Sequence, residues 1–289
     1  MHRPLRLSLV VAASLAVVGA AAAAASALDP VRLPLGDGKV TTAGPKRGYV
    51  YSCQGSFRGG GAFNAGAWIS SDGTWDQTAK PAVSGSVSWP SSFTVTVTGG
   101  TVRIAGNGLP RHPTGSFPIA TSDPVYRYDR NPNAIQVQNL SLTLPANPKV
   151  ASRSSCLPMG PIGVMLTGSY FFNALDAAGR DAAAHEVQDA CAGHPEMRGA
   201  YHYHSLSPCA SDTKSSHSAL VGYALDGFGI YGPRGENGKT LTNAGLDECH
   251  GHTHAVTWNG KKTRSYHYHA TAEYPYTVGC FRGTPAARA

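Results

Sequence analysis

Polar and apolar positions alternate most clearly in the middle of the chain. Phe93-Thr94-Val95-Thr96-Val97-Thr98 repeats every second residue, stops at Gly99-Gly100 and resumes as Thr101-Val102-Arg103-Ile104, which predicts a hairpin. Ile135 to Leu144 sets Ile135, Val137, Leu140, Leu142 and Leu144 among polar residues and predicts a strand that stops at Pro145. Tyr126 to Pro132 reads as a strand end running into a turn. Leu225-Asp226-Gly227-Phe228, between apolar residues, predicts a type I′ hairpin turn. A helical pattern is confined to Asp181–Ala190, with Asp181 as N-cap. The pattern is that of a mainly β protein.

A further alternation is of a different kind. Tyr201-His202-Tyr203-His204 and Tyr266-His267-Tyr268-His269 alternate two ring types. In a strand, His202 and His204 point one way and Tyr201 and Tyr203 the other. On a helix, residues two apart diverge by about 200°, so the two imidazoles could not meet at one point. His-x-His with chemical purpose therefore predicts extended structure, with the tyrosines packed inward.

The surroundings of these tetrapeptides also recur. Asp189-Ala190-Cys191-Ala192-Gly193-His194 precedes the first and Asp247-Glu248-Cys249-His250-Gly251-His252 the second; Cys209 follows one and Cys280 the other. Upstream, Ile162–Gly168 lies over Val221–Gly227 with an offset of 59. A run of extra residues near Thr257–Lys262 accounts for the larger offset of the second tetrapeptide. This predicts an internal duplication of two pseudo-two-fold-related modules, about 160–210 and 219–281.

Composition adds to this picture at three points. Gly 34 and Pro 20 with few charges suit a loop-rich β protein. Residues 1–27 read as a signal peptide: Arg3 and Arg6, an apolar run from Leu7 to Ala25, then Ala25-Ser26-Ala27 as a small-residue cleavage site. No other stretch reads as a membrane span. Loss of the two leader arginines takes the formal charge from +7 to +5, without Lys/Arg runs, which argues against a nucleic-acid partner. Six cysteines behind an export signal imply three disulfides. The matched positions favour Cys191–Cys209 and Cys249–Cys280, leaving Cys53–Cys156; pairing of equivalent cysteines across the two modules is the alternative.

Three neutral imidazoles suit a divalent transition metal, Zn or Cu before others, and His194, His202, His204, His252, His267 and His269 are the expected ligands. Asp189, Asp247, His217, His250 and His254 are further candidates, with turn capping the competing role for the two aspartates. His202, His204, His267 and His269 are expected to line a common site near the pseudo-two-fold axis. His112 and His185 read as surface residues. For a catalytic group, Asp226 and Glu248 are weak candidates, and none of the familiar catalytic fingerprints is present.

The run D-A-C-A-G-H-P…Y-H-Y-H, the segment G-Y-A-L-D-G-F-G-I-Y-G-P and the ending L-D-E-C-H-G-H-T-H…Y-H-Y-H…G-C-F-R-G resemble the YHYH-domain family of exported proteins. Tyr128-Asp129-Arg130-Asn131-Pro132-Asn133 is similar to it too, so the resemblance covers about residues 116–283. It implies a secreted or periplasmic setting and a domain boundary, and supplies no reaction. The expected organisation is a signal peptide (1–27), a β-rich N-terminal region (28–115), a disulfide-stapled YHYH domain (116–283) and a short tail (284–289).

Two functions follow as expectations. One is an exported metal-binding protein, a metal-dependent hydrolase or oxidase. The other is a non-catalytic extracellular module for a glycan, small molecule or surface ligand, with Trp68, Trp75, Trp89 and Trp258 supplying aromatic surface and the histidines forming a structural hydrogen-bond network. Convergence of the histidines in a cleft favours the first.

Overall fold

The computed structural model describes residues 28–212 and 216–286, so the expected signal peptide lies outside the described residues. Seven strands come first: β1 (Leu33–Pro34), β2 (Val40–Thr41), β3 (Val50–Tyr51), β4 (Thr74–Trp75), β5 (Phe93–Thr98), β6 (Thr101–Gly106) and β7 (Leu140–Pro145). The first four make two short two-stranded ladders; β5, β6 and β7 form an antiparallel sheet of three. The β5–β6 turn has both glycines at positive φ, 56° and 82°, as a two-residue primed turn requires.

The remaining strands are β8 (Pro161–Met165), β9 (Tyr170–Phe172), β10 (Gly193–Pro195), β11 (Tyr201–Tyr203), β12 (Leu220–Ala224), β13 (Gly229–Tyr231), β14 (Gly251–Trp258) and β15 (Lys261–His269). They form one eight-stranded sheet in the order β10-β11-β9-β8-β12-β13-β15-β14. Outward from the antiparallel β8–β12 pair, both halves read alike: an antiparallel hairpin partner, then a parallel strand carrying Tyr-His-Tyr, then an antiparallel outer strand. The extra residues of the second half lengthen the β14–β15 hairpin.

Register decides which side chains share a face. Val164 pairs with Tyr223 and Tyr170, Tyr170 with His202, and His202 with His194. On the other side Tyr223 pairs with Gly229, Tyr231 with His269, and His267 with His252. Paired residues point the same way, so every histidine of both tetrapeptides lies on one face. The tyrosines lie on the other, where Tyr201, Tyr203 and Tyr268 are wholly buried in the main core with Phe171, Phe228, Trp68 and Trp75. The three-stranded sheet packs on the middle of the histidine face, through Phe93, Val102, Ile104 and Leu144 against Val164, Tyr223, Tyr231 and Trp258. It leaves a histidine group to either side. Leu33, Val50 and Val83 of the N-terminal region belong to the main core with the large sheet.

Disulfides join Cys53–Cys156, Cys191–Cys209 and Cys249–Cys280. Among the described residues, no helix is long and apolar enough to cross a membrane.

Four local expectations need correction. The helix α1 spans only Ala182–His185: Asp181 caps it at Ala184 N, and Glu186 is already extended. Residues 135–139 are not a strand, because Gln136 N and Gln138 N donate to Gly199 O and Asn107 O in place of a ladder. Pro124–Arg127 is a 3₁₀ turn capped by Asp123. The turn before β13 is not type I′: Gly227 N donates to Ala224 O, Asp226 stays at negative φ, and Gly227 takes φ 89° after it, the three-residue alternative with a glycine bulge. The loop between β8 and β9 does the same, with Gly168 N on Met165 O and Gly168 at φ 104°.

Candidate metal centre

In the first half, His194 of β10, His202 of β11 and His204 just past the end of β11 bring one ring nitrogen each within 4.8 Å of the others. His202 Nδ1 donates to Ala200 O at 3.0 Å and His204 Nδ1 to Asn173 O at 2.6 Å. A carbonyl only accepts, so each Nδ1 carries a proton, and in a neutral ring Nε2 then presents the lone pair. Those two Nε2 atoms face each other at 3.1 Å. Phe172 stacks on the His202 ring, centroids 3.8 Å apart, and fixes its plane.

Glu186 completes this group, and the sequence reading missed it. Its Oε2 lies 3.3 Å from His204 Nε2 and 3.5 Å from His194 Nε2. Neither that oxygen nor either nitrogen of His194 has a hydrogen-bond partner, though all are buried. Burial, reinforced by the neighbouring imidazoles, holds His194 and His202 well below the ordinary histidine range. Neutral imidazoles are the form that binds a metal. The helix end delivers Glu186: α1 stops at His185, and the Glu186 N–H donates to Ala182 O.

The second half repeats the frame with different additions. His267 Nδ1 donates to Ser265 O at 3.0 Å and His269 Nδ1 to Gly232 O at 2.6 Å. His252 Nε2 lies 3.0 Å from His269 Nε2. His217, His254, His267 and His269 form a group whose ring nitrogens lie within 4.8 Å of one another. Nε2 of His217, His254 and His267 are buried without a partner. Burial, with the neighbouring histidines adding to it, lowers His252 to about 4. Burial also brings His267 down to about 3, and it pushes His269 well below its ordinary value. Among the described residues no carboxylate sits here as Glu186 does in the first group; Glu236, largely exposed, is 3.7 Å from His254 Nδ1.

The expected common site is not what the sheet builds. Between β11 and β15 lie β9, β8, β12 and β13, five strand spacings or about 24 Å. The central β8–β12 pairing sets each Tyr-His-Tyr strand third from the middle, so the histidines form two groups.

Other expected residues go elsewhere. Asp189 accepts from Gly115 N, Cys191 N, Gly193 N and the Tyr201 hydroxyl, and Asp247 from Cys249 N, Gly251 N and the Tyr266 hydroxyl. Both are turn anchors, and neither joins a histidine group. His250 bonds Thr271 Oγ1 at 3.0 Å. Asp226 accepts from Phe228 N, Arg282 N, Gly283 N and the Tyr268 hydroxyl. Glu248 is in neither group. His185 is not a surface residue: it is buried with Nε2 2.8 Å from Asp37. His112, half-buried, contacts the Tyr203 hydroxyl at 2.6 Å, because the core tyrosine needs a polar partner. Trp68, Trp75 and Trp258 are buried, and Trp68 and Trp258 donate to Ala184 O and Ala146 O, so they offer no aromatic surface.

The first group forms part of the wall of a cleft of about 510 Å³, which Phe63, Arg130, Asn133, Met159, Phe172, Glu186 and Met197 also line. In the second half, His252 lines a more open cavity of about 460 Å³.

Residues 141–241 match the family model described as YHYH protein. Over that stretch the chain is similar to YHYH proteins. The matched stretch holds the first histidine group, Glu186 and His217; His252, His254, His267 and His269 lie beyond it. No curated protein and no solved structure matches the chain.

Proposed function

We propose that this protein is exported and binds a divalent transition metal in each half of the large sheet, and that the first site is catalytic. One observation carries the reading. Imidazoles in each half converge on one another, His202, His204, His267 and His269 with Nδ1 on a backbone carbonyl, and several converging atoms have no partner. Carbonyl-anchored imidazoles of this kind are the usual setting of metal ligands. A purely structural network would instead satisfy its buried nitrogens.

In this reading His194, His202, His204 and Glu186 hold the first metal; His217, His252, His254, His267 and His269 supply the second. Imidazole-rich donor sets with one carboxylate or none fit Zn or Cu. When bound, such a metal supplies Lewis acidity or, for copper, one-electron chemistry. The protein's part is to fix the rings and to open the first site onto a cleft with all of its proposed ligands, whereas His252 alone of the second lines one of the cavities described. That opening is why we assign hydrolysis or oxidation to the first site and a non-catalytic role to the second. The matching strand order of the two halves, and of their carbonyl anchors, supports an internal duplication about a pseudo-two-fold axis between β8 and β12. Three disulfides and the leader-like residues 1–27 support export.

The test is elemental analysis of the untagged, exported protein beside His202→Ala, His267→Ala and the double variant. Two equivalents in the wild type, one in each single variant and none in the double are expected. Absence of metal from the wild type after addition of Zn²⁺ or Cu²⁺ would overturn the reading.

A further inference from the structure

We propose that the cleft over the first histidine group takes a small amphipathic organic anion, an aromatic carboxylate being the simplest form. This rests on the reading of that cleft as the reaction site and names what enters it. Six large apolar side chains are well exposed on the described surface, and two of them, Phe63 at 55 % and Met197 at 83 %, stand in the lining of this one cleft. Exposed apolar groups gathered at a concave site mark binding. Deeper in, Met159 and Phe172 continue the apolar wall to His202 and His204. A ring or short branched chain has a surface to lie against.

None of the carboxylates that line the cleft answers the one arginine in its wall. Asp129 accepts from Val187 N and Asn131 N. Asp176 is tied to Arg180. Glu196 accepts from Arg198 N and Ala200 N. Glu186 faces His194 and His204. Arg130 differs. Its guanidinium lies 3.5 Å over the Phe63 ring and 5.4 Å from Tyr126, and among the described residues no carboxylate pairs with it. A guanidinium held flat on an aromatic ring keeps its N–H fork free, and that fork matches a carboxylate in a bidentate pair. Arg130 on Phe63 thus offers cation and apolar plate side by side, matched to a ligand with anion and ring side by side.

The experiment uses the metal-free exported protein, so that the anion cannot be captured by a metal. Benzoate, benzyl alcohol and acetate are titrated by NMR, with metal content of the reloaded protein measured in parallel. Benzoate is expected to bind saturably and at least about tenfold more tightly than either other probe, the effect of one charge-assisted contact. Arg130→Ala should bring benzoate to the level of benzyl alcohol, Arg130→Lys should restore part of the difference, and Phe63→Ala should weaken both aromatic probes. Each of these residues is exposed, so the variants are expected to fold and to take up metal as the wild type does. Equal binding of benzoate and benzyl alcohol, unchanged benzoate binding by Arg130→Ala, or no saturable binding of any aromatic probe overturns the proposal while leaving the metal stoichiometry standing.

Discussion

His202 and His204 turn their Nε2 atoms to 3.1 Å from each other while Ala200 O and Asn173 O hold their Nδ1 protons. Two lone pairs at that separation repel unless a cation or a proton lies between them. Burial disfavours the proton on His202, and a bound cation is what the proposed site would place between the two. Two residues apart on one strand, the rings can meet this way only because the strand is extended.

Glu186 is the first place to test the difference between the halves. Glu186→Gln keeps the size of the side chain and removes the charge beside His194 and His204. Metal affinity of the first site should fall by at least about 10- to 100-fold, the loss that follows removal even of a group that only orients a ligand, while the second site keeps its metal. Competition with a chromophoric chelator reads both values. An equal loss at both sites would remove Glu186 from the first.

Asp189 should behave in the opposite way. Its carboxylate holds three backbone N–H groups and a phenol, so Asp189→Asn turns an amide N–H₂ towards donors and should cost about 1–3 kcal/mol. Metal content should be unchanged. Urea unfolding with elemental analysis separates the two effects, and a stable, metal-depleted variant would make Asp189 a ligand after all.

The glycine of each leader is set by the tyrosine across from it. A Cβ at Gly193 would lie 2.3 Å from Cζ of Tyr201, and one at Gly251 2.4 Å from Oη of Tyr266. Neither contact can be relieved without moving a buried ring, and overpacking of this kind costs about 1–3 kcal/mol. Gly193→Ala should therefore disturb the β10–β11 pairing and lower metal at the first site alone, and Gly251→Ala at the second alone. Site-resolved metal analysis of the two variants checks this.

His250 offers a pH test free of the metal groups. Burial lowers it to about 3 from an ordinary value near 6.5. The folded protein thus keeps it neutral where the unfolded chain would protonate it. Its stabilising effect is whole above pH about 6.5 and is lost progressively as the pH falls towards 3. Wild type minus His250→Asn, compared by urea midpoint from pH 7 to pH 4, should show a shallower loss in the variant. Buried carboxylates such as Asp226, raised by burial, act in the opposite sense but are common to both proteins and cancel. Parallel curves would contradict the assignment.

Much of the site was legible because strand geometry acts on neighbours. Alternation of two ring types over four residues was enough to place histidines on one face and tyrosines in the core. Long-range facts were not. Glu186 lies between the matched runs Ile162–Gly168 and Asp189–His194, at the end of a four-residue helix, and nothing local marks it as different from a surface glutamate. The sheet order was equally hidden: whether His-x-His strands meet or stand apart depends on the β8–β12 pair, whose residues bear no site. His185 read as exposed because its partner, Asp37, is 148 residues away. The short α1 yielded to Trp68 and Lys80, which take the carbonyls of Ala184 and Ala183.

The two ring types also let the sheet proofread its own pairing. Sliding β15 by one residue against β14 would exchange the faces of the whole tetrapeptide. His267 and His269 would enter the core with no carbonyl waiting for them, and Asp247 and Asp226 would lose the phenols that satisfy them. The displaced tyrosines would meanwhile crowd the pocket meant for imidazoles. Each error penalises both faces at once, so a motif that looks built for binding is also what forbids the wrong register.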